Sequence, residues 1–124
     1  MFTNCRELEA LEALEALHLP PSLFAGIFGA DFMGSHCKPE LAAFEKVIAA
    51  SGCEPQRTAF FEDSFRNLVT ARALGMRTIL VGSTTLSEEG PAAALIEATL
   101  SARVPTLTLE HLRSSPAAAF LPIS

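Results

Sequence analysis

The stretch TAFFEDSFRNLVTARALGM, residues 58–76, decides how the rest of the chain is read. An apolar run stops abruptly at two adjacent carboxylates, Glu62 and Asp63, and helical spacing begins at once. Neighbouring negative charges at a strand end repel each other unless a positive group relieves them. A hard cation such as Mg2+ does this, taking carboxylate oxygens and keeping waters and a phosphate oxygen as its other ligands. The plainer alternative is a helix N-terminus, where the macrodipole favours acids. Asp63, one of only two aspartates in the chain, is the first candidate ligand and Glu62 the second. Asn67 lies one helical turn after Asp63, where its amide either faces the same pocket or caps the turn.

Working outward, the spacing predicts alternating elements. RTAFF, ending at Phe61, is a strand; a helix follows through Leu74 and closes at Gly75; Arg77 to Val81 is a second buried strand. Upstream, KPELAAFEKVIAASG predicts a helix with Pro39 at its first position, an apolar face of Leu41, Phe44, Val47 and Ile48, and a stop at Gly52. Gly26 to Gly29 is expected to be a short buried strand, and MGSHC a loop. At the start, Asn4 and Glu7 have the spacing of a capping box, and Leu8, Leu11, Leu14 and Leu17 then mark an amphipathic helix ended by Pro20 and Pro21. Met1 and Phe2 form the stub of a strand. Downstream, STTLSEEG is expected to be a loop and PAAALIEATLSA a helix. PTLTLEHLRSS is expected to be a short strand with a helical turn. Such alternation with short connections implies a parallel sheet wrapped by helices, with ligands at the carboxyl ends of the strands. Residues 1–113 are expected to form the core and residues 114–124 a tail.

Composition narrows the function. A chain of 124 residues with 49% hydrophobic residues supports one domain with a real core. A net charge of -5 argues against a nucleic-acid groove or an anionic membrane surface as partner. Three cysteines, Cys5, Cys37 and Cys53, odd in number and widely spaced, fit reduced thiols in a cytoplasmic setting. No leader-like segment and no apolar run of about 18 residues is present, so neither a signal peptide nor a membrane span is expected.

Lys38 and Lys46 are the only lysines. Lys46, in mid-helix, is read as a solvated residue. Lys38 opens a helix, a place the macrodipole disfavours for a cation, so an anion is expected nearby. A phosphoryl group fits, because its transfer is catalysed mostly by positioning and charge stabilisation. Thr3 and Asn4 supply a hydroxyl and N–H groups at another helix start, which is either an anion site or only a cap. His36 and Cys37 as a thiolate pair, and Asp31, His36 and Cys37 as a zinc site, are weaker readings for want of a placed base and four spaced ligands.

Together FTN at a strand-to-helix turn, CKPE opening a helix, and FFEDSFRNL after a strand resemble the second, third and fourth motifs of the haloacid dehalogenase-like hydrolases. The pyrimidine 5'-nucleotidase branch is the most similar. The resemblance runs from Phe2 to about Gly82. It implies a three-layer Rossmann-like α/β fold and Mg2+-dependent hydrolysis of a phosphate ester, such as a nucleoside 5'-monophosphate. In those terms Thr3 would bond the transferring phosphoryl group, with Asn4 beside it, and Lys38 would neutralise its charge. Asp63, with Glu62, would hold Mg2+, and Ser64 and Asn67 would orient the acid loop and Lys38. The family also carries an earlier strand ending in Asp-x-Asp, whose first aspartate attacks phosphorus, and a mobile cap. Neither motif nor cap occurs here: the aspartates are Asp31 and Asp63 alone. The expectation is therefore an N-terminally incomplete fold, inactive by itself, with an exposed sheet edge that favours self-association. The alternative is a non-catalytic domain that keeps the phosphate and metal pocket for binding.

Overall fold

The leucine triplets do build a helix, α1 (Glu7–Ala16), in the computed structural model, which describes residues 1–81, 98–100, 109–114 and 116–119. The expected loop at 83–90 and most of the expected helix at 91–102 lie outside these residues, as does the strand expected just before Leu109. Two units are distinguished, Met1–Cys53 and Glu54–Ser124.

In the first unit, α1 does not bury its leucines as one stripe. A residue turns about 100° on a helix, so a three-residue repeat lags by about 60° at each step. Only Leu14, with Ala10 four residues before it, is buried, while Leu8 and Leu17 are 61% and 66% exposed. The helix also starts later than the capping-box spacing implies. Its cap is Arg6, whose N–H donates to Glu9 Oε2 at 2.9 Å. Asn4 is drawn elsewhere, as described below.

The strand expected at Gly26–Gly29 shrinks to a single parallel bridge between Phe28 and Phe2. Its bonds are Thr3 N to Phe28 O, 3.0 Å, and Phe28 N to Met1 O, 2.9 Å. A short helix, α2 (Ala30–Met33), follows. Next comes α3 (Leu41–Ser51), which starts two residues beyond Pro39 with Glu40 as its cap. Its buried residues are Ala43 and Phe44; Leu41, expected on the apolar face, is 50% exposed. Phe44 meets Phe2 edge-on at 5.1 Å between ring centres. Lys46 is exposed, as expected in mid-helix, and its ammonium also reaches the Met33 carbonyl at 3.3 Å and lies over the Phe32 ring.

The expected stop at Gly52 is present, with φ 67° and its N–H on Ile48 O at 2.9 Å. A Cβ there would meet nothing within 4 Å, so only the left-handed backbone resists a side chain. Gly52→Ala is expected to cost about 1 kcal/mol of stability, measurable by urea unfolding.

In the second unit a parallel sheet runs β1–β2–β3, formed by β1 (Ala59–Glu62), β2 (Arg77–Val81) and β3 (Ala98–Leu100). Phe61 pairs with Ile79 and Glu62 with Leu80, while Val81 pairs with Leu100. Thr78, Ile79 and Leu80 are consecutive and each at most 1% exposed, so both faces of β2 are covered, as a central parallel strand requires. Helix α4 (Phe65–Ala73) packs on β1 and β2 through buried Leu68 and Ala71 and closes at Gly75, φ 89°. Residues 98–100, expected to be helical, are instead a strand: pairing with the exposed edge of β2 overrides the alanine-rich propensity around them. A helical turn, α5 (Leu109–Ser114), occupies the second half of PTLTLEHLRSS. The whole is an α/β fold with a parallel, Rossmann-like sheet. No described helix is long and apolar enough to cross a membrane.

Candidate functional site

Within the first unit, two segments far apart in the sequence are bonded together. The Asn4 side chain donates to the Lys38 carbonyl at 3.0 Å and accepts from the Lys38 N–H at 2.8 Å, spanning 34 residues. The Lys38 ammonium donates to Phe2 O at 3.2 Å and sits 5.2 Å from the centre of the Phe2 ring. Phe2, Thr3, Asn4 and Lys38 thus form one cluster. The Thr3 hydroxyl accepts the Cys5 N–H at 3.2 Å and contacts the Cys5 sulfur at 3.0 Å. Cys5 therefore touches the candidate phosphate-binding hydroxyl. Its spacing from Thr3 was the one available signal, since an amide two residues on can reach a threonine hydroxyl.

Glu7 is a second residue whose position the sequence did not reveal. Its spacing from Asn4 suggests a cap on its own helix, but its carboxylate accepts from Gly29 N at 2.6 Å, Asp31 N at 3.0 Å and Phe32 N at 3.0 Å. It caps α2 and pins the loop after Phe28. Partial burial would push this carboxyl up, but the N–H groups of Phe32, Gly29 and Asp31 outweigh that and hold it at about 2. A depressed carboxyl contributes stability above its ordinary pKa, and that contribution fades as pH falls towards the folded value. The stability difference between the wild type and Glu7→Gln is therefore expected to be full above pH about 4.5 and to vanish towards pH about 2, read from melting curves across that range. Asp31 is engaged by Arg6 Nε at 3.1 Å, an exposed pair of small energetic weight.

The loop before α3 carries His36, Cys37 and Glu40. His36 Nδ1 lies 3.0 Å from Glu40 Oε2, and the Cys37 thiol donates to Glu40 Oε1 at 3.4 Å. That bond, with desolvation and the Glu40 charge, pushes the thiol up, so Cys37 is a protonated donor and not a ready nucleophile.

In the second unit, the acid turn follows β1 directly. Glu62 Oε1 accepts the N–H groups of Asp63 at 3.1 Å and Ser64 at 3.2 Å, and Oε2 accepts the Asn67 amide at 3.0 Å. Asn67 is buried, 7% exposed, so its amide bond to Glu62 has been taken out of water. Ser64 stands at the cap of α4. The two acids therefore differ in kind. Glu62 is turned back to hold the loop, and Asp63 is exposed on the same turn. Among the described residues no group of three or more His, Cys, Asp or Glu is arranged to hold a metal by itself. The donor chemistry still suits Mg2+, which takes one or two carboxylates and keeps its waters. Asp63 is the residue of the pair that fits that role.

A comparison with protein families matches residues 2–81 to the haloacid dehalogenase-like hydrolases. The match spans every residue discussed in this subsection.

Proposed function

The chain belongs to the haloacid dehalogenase-like hydrolases, and from that premise we propose that it serves Mg2+-dependent hydrolysis of phosphate esters, with nucleoside 5'-monophosphates of the pyrimidine type as the substrate class. The observation that carries this reading is the bonding of Lys38 to residues 2 and 4 on either side of Thr3. It gathers a fixed cation and a hydroxyl, the two groups that a phosphoryl dianion requires. Thr3 donates its hydroxyl hydrogen to a phosphoryl oxygen. Lys38 balances the charge that develops on that group. Asp63 would hold a divalent ion, which supplies Lewis-acid chemistry when bound. Glu62, through Asp63 N, Ser64 N and Asn67, keeps the acid turn in shape. The Asn67 amide is fixed by that same bond.

These 124 residues contain no Asp-x-Asp. The chain by itself is thus expected to bind phosphate without turning over an ester, since covalent catalysis needs a carboxylate nucleophile and a proton donor. The same absence favours a second reading, a domain that binds phosphate and metal without catalysis. Titration calorimetry with inorganic phosphate and Mg2+ tests the common part. Binding should occur and should weaken about tenfold or more in Lys38→Met. Equal affinity in the variant would remove Lys38 from the site. Turnover of p-nitrophenyl phosphate that disappears in Asp63→Ala would overturn the expected inactivity.

A further inference from the structure

Resting on that reading, we propose that Asn4 is a positioning residue for Lys38: its side chain sets where the ammonium stands, and position 4 offers a phosphoryl group only its backbone N–H. A lysine ammonium rides on a flexible four-carbon stem, so its location must be fixed from both ends. At the near end, the Asn4 amide engages the N–H and the carbonyl of Lys38 itself, at 2.8 and 3.0 Å. At the far end, the ammonium rests on Phe2 O and over the Phe2 ring. Both anchors come from the three-residue run that contains Thr3. Phe2 is in turn fixed by its bridge to Phe28 and its edge contact with Phe44. The candidate hydroxyl and the candidate cation are thereby tied to one short segment. An asparagine amide with its oxygen and nitrogen each on one peptide group is a two-point clamp that fixes direction as well as distance. Alanine cannot supply either point.

The chain contains one other lysine, Lys46, which also sits over a phenylalanine and on a carbonyl, so it serves as an internal reference. The test is brief acetylation of the full chain with acetic anhydride, with Lys38 and Lys46 quantified by peptide mass spectrometry. In Asn4→Ala the Lys38 to Lys46 ratio should rise several-fold, while melting shows the chain still folded. Asn4→Asp keeps the acceptor for the Lys38 N–H and loses the donor; it should give an intermediate rise, and it decides the matter if Asn4→Ala does not fold. An unchanged ratio overturns the proposal. A second arm measures affinity for inorganic phosphate with Mg2+ in Asn4→Ala, Lys38→Met and the double variant. Asn4→Ala should weaken binding about tenfold in the wild-type background and not at all in the Lys38→Met background. Additive losses would mean that Asn4 contacts phosphate directly, and would overturn it too. If the wild type binds no phosphate, the hydrolase reading falls, and the acetylation ratio still decides what Asn4 does.

Discussion

Asp63→Asn is expected to lower the affinity of the chain for Mg2+ by about 100-fold, and Glu62→Gln by only about tenfold. The difference follows from what the two carboxylates already do. Both Glu62 oxygens are taken by N–H donors from its own turn and from Asn67. A glutamine at 62 would set its NH2 against the Asn67 NH2 and loosen the turn, but it removes no direct ligand. Asparagine at 63 removes the formal charge that a divalent ion seeks, at an exposed position. Calorimetric titration with Mg2+, supported by Mn2+ resonance measurements, separates the two variants. If Asp63→Asn binds as the wild type does, the paired acids are only the start of a helix.

Gly29→Ala is expected to cost about 3 kcal/mol or more and to lower the melting temperature by roughly 10 °C. Gly29 has an ordinary extended backbone, φ -123°, so the reason is space and not conformational freedom. A Cβ there would stand 2.6 Å from Cys5 O and 3.0 Å from Glu7 N, both main-chain atoms that cannot swing aside. Relief requires the loop to move off α1. That movement would break the 2.9 Å bond from Ala30 N to Cys5 O and pull the N–H groups of residues 29, 31 and 32 away from Glu7. Gly52→Ala is the natural contrast, since it meets open space and only a dihedral cost. Thermal unfolding of both variants followed by circular dichroism checks the order.

What the sequence made legible is what depends on neighbours along the chain. Strand β2 was readable because the apolar residues Ile79 to Val81 follow closely on the glycine stop at Gly75. The stop at Gly52 was readable for the same reason, as was the junction of strand and helix at Glu62–Asp63. What stayed hidden depends on partners far off. Asn4 has cap chemistry, but its amide went to a peptide 34 residues away. Glu7 lies three residues after Asn4, as a capping box requires, but it went to a helix more than 20 residues on. Strand β3 pairs with β2 against its local composition. The fold class follows from the alternating pattern alone. The roles of Glu62 and Asp63 parted only once their bonds were seen, because adjacency in sequence does not say which carboxylate turns inward.

Glu9, Glu12 and Glu15 drift round α1 in step with Leu8, Leu11 and Leu14, so an exposed carboxylate directly follows each of these leucines in sequence. Whether copies of this helix stay apart in solution is then a contest between poorly hydrated hydrocarbon and mutual charge repulsion. Added electrolyte shortens the reach of the repulsion to about 10 Å at 0.1 M and leaves the hydrocarbon untouched. Ionic strength, more than warming, is the handle that would turn the α1 surface from dispersing to adhesive.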